Sequence, residues 1–379
     1  MKDDKKLEAI SFAILLQETI EIKQMLYQIN NSRDDFNEYN IYIPFLPILS
    51  SICLAWVEKF EKHKEIVNLP NIRGFDFVTL LKKFRISFKL YSDKRVLKAF
   101  KMLNNSADKR KKILETDYNF FQKFVTSIVG QKDLGVFTIE GIPYGNTSQL
   151  SIYLEEIFVQ NNFETLNQWI LSNKEFLIDF SSTLVAFINS ITLDFEEKFS
   201  VDPTLEINVT NCKLSYMDKF LMDTKRRNIL LGKVPLEAQL QLFNVLCQNN
   251  FINILVPEIF MKTGGLLYRL KLQTYLVSVN TIKNFYKRFS KLLNPLLGKN
   301  IEEIIECKEK YFLENTQFRN NIFHYSLTEI SSKNFLRYKY YFRAVVESYV
   351  EMSFDDFIKM IDEETEKINA IIGKIINFR

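Results

Sequence analysis

Glycine and proline are scarce in this chain, ten and eight among 379 residues, and that scarcity constrains the fold more than any other feature. A sheet-rich protein must turn every few residues, and turns draw on these two residues for their special backbone angles. A β-sandwich or a parallel nucleotide-binding sheet is therefore disfavoured, and long helices with short joints remain. The apolar pattern agrees. Leu7, Ile10, Ile14, Leu15, Ile22, Met25, Leu26 and Ile29 recur at three-to-four spacing, which lines one face of a helix. The expected class is mainly α: multi-helix bundles with at most a few short strands.

Three segments are expected. Residues 1–134 read as an N-terminal helical domain, with helices over 7–29, 48–57, 75–91, 93–104 and from about 106 to 129, the last stopped by Gly130. Residues 135–212 read as a helical middle region with short extended pieces. Around Gly135 to Asn146 three glycines, a proline and a short alternating run predict a strand or extended joint, and Thr204 to Thr210 alternates in the same way. Between them helices are expected over 147–161, 163–174 and 175–199. Residues 213–379 read as a C-terminal helical domain, helical from about Lys213, with Pro235 in a first turn, a reset at Gly264-Gly265, and closing helices over 332–352 and 353–378.

The candidate chemistry lies in Phe318-Arg319-Asn320-Asn321-Ile322-Phe323-His324-Tyr325, which holds one of only two histidines in the chain. On a helix Asn320 and His324 share a face, and Arg319 sits about 140° around from His324, an offset a long guanidinium spans. Imidazole exchanges protons near neutral pH, and arginine is a permanent forked cation suited to phosphate. The same residues fit a second reading, a core histidine satisfied by a backbone carbonyl with Arg319 reaching to solvent.

Arg319-Asn320 followed by three residues and His324, late in a helical chain, resembles the signature of the HEPN superfamily of helical RNases, which includes abortive-infection proteins, toxins and CRISPR-associated RNases. The resemblance covers roughly the last third of the chain. It implies a metal-independent endoribonuclease with no cofactor, in which a ribose 2′-OH attacks the adjacent phosphorus. His324 would act as general acid or base, Arg319 would stabilise charge on the phosphoryl oxygens, and Asn320 would orient the imidazole or a phosphate oxygen. One motif supplies one Arg and one His, so the resemblance further implies a homodimer through the C-terminal domain. It also implies anti-phage or toxin activity on RNA, tRNA or mRNA, with an antitoxin or trigger molecule as partner. Arg337, Lys339 and Arg343 are candidates to hold RNA, and Tyr325, Tyr338, Tyr340 and Tyr341 to stack on bases or simply to pack. The competing class is an inert helical scaffold, adaptor or RNA-binding protein.

Other chemistries find little support. A formal charge of +4 is mild for a nucleic-acid coat. Cys53, Cys212, Cys247 and Cys307 form no CxxC pair and, with only His63 and His324 beside them, no zinc spacing. They read as buried thiols of a reducing, cytoplasmic compartment. Met1 to Lys6 shows no signal-peptide pattern. The uncharged run from Asn40 to Val57 approaches membrane-spanning length, but Pro44 and Pro47 are expected to confine its helix to Ile48–Val57, a buried core helix with no membrane partner.

Overall fold

The computed structural model describes residues 2–31, 35–64, 68–89, 132–158, 166–193, 213–312, 316–337 and 341–378, with a few isolated positions between 101 and 130. Among the described residues the chain forms twelve α-helices and two small antiparallel sheets, so the mainly-α class holds. The helices are α1 (Lys2–Asn30), α2 (Asp35–Lys62), α3 (Phe77–Lys89), α4 (Ser148–Phe158), α5 (Leu166–Thr192), α6 (Leu236–Asn250), α7 (Val256–Ile259), α8 (Gly265–Phe289), α9 (Pro295–Phe312), α10 (Thr316–Phe323), α11 (Tyr341–Glu347) and α12 (Phe354–Ile376). The strands are β1 (Asn71–Ile72), β2 (Phe75–Asp76), β3 (Leu134–Ile139), β4 (Ile142–Asn146) and β5 (Leu214–Lys219). The helices expected over 93–104 and 106–129, and the alternating run 204–210, lie largely or wholly outside the described residues.

Helix α8 is the hub. It packs against α1, α6, α9, α10, α11 and α12, and Leu267, Leu270, Tyr275, Val279 and Ile282 of its apolar stripe are buried. Helix α12 shows why such segments are helical. Ser353 caps it by accepting from the Asp356 N–H at 3.2 Å, and Phe357, Ile361, Thr365, Ile368 and Ile372 bury one face. It ends at Asn377, which takes the left-handed conformation at φ 50°.

Helix α2 differs from expectation. Both Pro44 and Pro47 lie inside it, because their rings are buried against the core and tertiary packing outweighs the backbone bonds that proline cannot make. The resulting helix is long and apolar enough to cross a membrane from Ile41 to Lys62, yet 78% of that window is buried inside the protein. Trp56 anchors it, donating to Thr19 Oγ1 of α1 at 2.8 Å and meeting Phe12 edge-on at 5.2 Å.

The extended segment at 135–146 is a hairpin, β3 and β4, whose turn at Glu140 and Gly141 has φ of 51° and 85°, the paired positive angles of a two-residue connection. Residues 214–219, expected to be helical, form β5 instead and pair with β3, giving the order β4-β3-β5. Thr138 and Ser215 share a hydroxyl hydrogen bond of 2.6 Å across that pair, and Phe137 stacks on Tyr216. The expected boundaries at 134/135 and 212/213 thus fall at the ends of strands in one sheet, and one hydrophobic core draws on all three segments.

Smaller differences are local. Residues 166–192 make one helix rather than two, 251–255 are a π-helical turn, and 332–337 form a 3-10 helix before α11.

Candidate functional site

Helix α10 divides its residues cleanly. Phe318, Asn321 and Ile322 face inward, while Arg319 and Asn320 are exposed. Phe318 stacks on Tyr349 at 5.2 Å. Asn321 clamps the chain beyond the helix: its amide donates to the Thr328 carbonyl at 3.0 Å and to Tyr349 Oη at 2.8 Å, and its oxygen accepts from the Thr328 N–H. The last carbonyls of a helix lack partners within it, and here other helices supply them. Arg269 Nη1 of α8 donates to the carbonyls of Asn321 and Ile322 at 3.1 and 2.7 Å, and Gln273 donates to Ile322 at 2.9 Å.

His324 follows at once. Its N–H donates to the Asn320 carbonyl at 2.9 Å, closing the final turn, and the residue is exposed. The guanidinium that reaches its ring is that of Arg85, from α3. Arg85 Nη2 lies 3.4 Å from His324 Nδ1 and 3.4 Å from the Phe323 carbonyl, and Nη1 lies 3.4 Å from Glu58 Oε1 of α2. Arg319 sits with its guanidinium carbon 5.9 Å from the Phe323 ring centroid. His324 and a group from the N-terminal part of the chain therefore meet at the end of the helix on which Arg319 and Asn320 are exposed.

The other expected RNA-binding residues are placed differently. The Tyr325 hydroxyl donates to Glu18 Oε2 at 2.5 Å and its ring lies 4.5 Å from the Arg269 guanidinium, so its hydroxyl and one ring face are engaged in the interior. Arg343 is tied to Glu347 at 3.0 Å and Asp355 at 3.4 Å and lies over the Phe354 ring, linking α11 to the start of α12. Arg337 ends the 3-10 helix. Its side chain, and Lys339, Tyr338 and Tyr340, lie outside the described residues.

Beneath the motif is a buried ion pair that joins α1 to α8. Arg269 Nε donates to both oxygens of Glu18 at 2.9 and 2.8 Å, with the two side chains 2% and 1% exposed. Burial pushes the Glu18 carboxyl up, opposed by Arg269 and Tyr325, while the guanidinium stays charged. Glu21, one turn further along α1, accepts from the N–H groups of Gly265 and Leu266 at 3.1 and 2.8 Å at the start of α8. Burial first, and the neighbouring Glu18 second, raise its carboxyl to about 7. Arg85, Phe323, Tyr325, Arg269, Pro47 and Ile52 line a cavity of ≈ 20 Å³ above this pair, space for a single water.

Arg85, Glu58, Glu18 and Arg269 were missed in the sequence. Glu18 and Arg269 did leave a signal: each interrupts an apolar stripe, Glu18 between Leu15 and Ile22 and Arg269 between Leu266 and Leu272, as opposite charges do when they meet in a core. Arg85 left none.

Among the described residues no three His, Cys, Asp or Glu side chains come together as a metal site. Cys53 and Cys247 are buried free thiols whose burial holds them well above the usual range, and Cys307 is a half-buried one. No protein-family model, curated protein or solved structure matches the chain.

Proposed function

We propose that the chain is a metal-independent endoribonuclease of HEPN type, serving anti-phage defence or acting as a toxin. The observation that supports this reading is the exposure of His324 at the end of α10, beside one guanidinium and on the same short segment as exposed Arg319 and Asn320. An inert scaffold has no need of that arrangement. A histidine packed dry in the core is its natural form.

In the proposed reaction the ribose 2′-oxygen bonds to phosphorus and the P–O5′ bond breaks, leaving a 2′,3′-cyclic phosphate and a 5′-OH. One proton leaves the 2′-OH and another reaches the departing O5′. A single imidazole cannot hold both protonation states at once, so the scheme takes His324 from each of two copies, in a homodimer. Arg319 supplies positive charge to the phosphoryl oxygens as they gain negative charge, and Asn320 orients a phosphate oxygen.

The test is cleavage of mixed single-stranded RNA and tRNA in EDTA by wild type and by His324→Ala, with product ends analysed. Cyclic-phosphate ends from wild type and a loss of about 100-fold or more in the variant are expected. Equal cutting by both proteins overturns the assignment. If wild type leaves RNA intact and cells tolerate its overexpression, the scaffold or adaptor reading takes its place.

A further inference from the structure

Resting on the nuclease reading of His324, we infer that Arg85 is a further arginine of the same site: with His324 it forms a binding pair for a phosphodiester group, delivered from the N-terminal part of the chain. All three contacts of its guanidinium measured above, to His324 Nδ1, the Phe323 carbonyl and Glu58 Oε1, are 3.4 Å long. Good N–H···O bonds cluster near ~2.9 to 3.0 Å. The side chain is nevertheless held in place, 16% exposed. A fork of donors kept at long range by two neutral acceptors and one half-exposed carboxylate is better matched by a phosphate, whose charge-assisted bonds shorten to ~2.7–2.9 Å. Arg319, exposed on α10, adds positive charge at the same helix end.

The contact also fixes a proton. Guanidinium only donates, so Nδ1 accepts and carries no hydrogen. An imidazole that takes a proton at Nε2, or gives one as imidazolium, carries a hydrogen on Nδ1, pointing at the cation. Proton transfer by His324 therefore requires Arg85 to leave Nδ1, and a phosphate that draws the guanidinium away brings that about. Arg85 is thus a positioning residue as well as a phosphate ligand: at rest it holds the imidazole in an idle tautomer, and substrate releases it. Glu58 competes with the phosphate for the same fork.

The experiment follows the ring nitrogens of ¹⁵N-labelled protein at neutral pH while inorganic phosphate is titrated in. His63 and His324 give the only imidazole signals, and His324→Ala assigns them. In wild type, Nδ1 of His324 is expected to begin unprotonated and to shift towards the protonated position as phosphate saturates. Arg85→Gln is expected to weaken phosphate about tenfold and to abolish that shift. Glu58→Gln is expected to tighten phosphate about threefold by removing the competitor. Opposite responses at two neighbouring positions distinguish a phosphate role from packing, and thermal melts confirm that both variants fold. A protonated Nδ1 in wild type before phosphate, or the same phosphate response in Arg85→Gln, overturns the inference. Arg85-dependent phosphate binding in a protein that cuts no RNA keeps the pair and overturns the nuclease reading, whereas RNA cutting with no phosphate response does the reverse.

Discussion

Glu21 shows how a single carboxyl can report on the interior. Two carboxylates, Glu18 and Glu21, lie near one guanidinium, Arg269, and Glu21 is compensated first by the leading amides of α8 and then by the charge of Arg269. In the unfolded chain it titrates near 4.5, and in the folded protein near 7. Between those values the folded protein keeps a proton that the unfolded chain has lost. Its contribution to stability is therefore complete below about pH 4.5 and is lost as pH rises through 7, a change on the order of 3 kcal/mol. Glu21→Gln keeps an acceptor for one of the two amides and cannot titrate. Urea unfolding at pH 5 and pH 8 should show wild type losing more stability than Glu21→Gln across that interval, and equal losses would exclude this origin. The residue scale is also where sequence reading was least complete. Arg319, Asn320 and His324 were legible because they sit within six consecutive residues. Arg85 was not, since it meets His324 across 239 positions and nothing local marks it. Tyr325 was legible as an aromatic beside the motif, but its partner Glu18 lies 307 positions away.

Helices with a continuous apolar stripe were read well, because their period is set by local geometry alone. Helix α12 falls within two residues of its expected bounds and α1 within five, α6 and α8 start where Pro235 and the Gly264-Gly265 reset placed them, and the β3–β4 hairpin lies where its glycines cluster. Elements that depend on a distant partner were not legible. Leu214 to Lys219 has no clear alternation, and it is a strand because β3 is there to pair with it. Pro44 and Pro47 looked like a helix boundary, and the packing of α2 overrides them. One join between elements gives a sharp test. The loop before α6 passes so close to the end of α12 that a Cβ on Gly232 would clash with the Ile375 carbonyl oxygen and approach Gln239 Oε1 to 2.9 Å. The Gln239 side chain meanwhile bonds both the N–H and the carbonyl of Gly232. Gly232→Ala should cost about 1–3 kcal/mol, seen as a lower urea midpoint with an unchanged slope. An unchanged midpoint would mean that this loop is free to withdraw.

For the molecule as a whole, the C-terminal segment 213–379 does not hold its core alone. Arg269 has its counter-ion on α1, β5 pairs among the described residues with β3 alone, and the Leu327 N–H donates to Ser11 at 2.9 Å. Segment 213–379 made by itself leaves Arg269 buried without a carboxylate, a situation that costs about 3–5 kcal/mol, and leaves β5 unpaired. It should lack a cooperative thermal transition, and a sharp melt of that segment would show that the motif's surroundings are self-sufficient. The same long reach has a consequence in time. Glu18 and Arg269 are 251 residues apart, so a ribosome adding roughly 5–20 residues per second makes the acid on the order of tens of seconds before its base. His324 emerges later still, 55 residues after Arg269. Throughout that interval the nascent chain has α1 but not the helix that α1 is built to receive, and the Arg–His cluster cannot assemble until residue 324 has been made. The order of translation thus delays both the buried ion pair and the Arg–His contact well past the making of the helix that supports them.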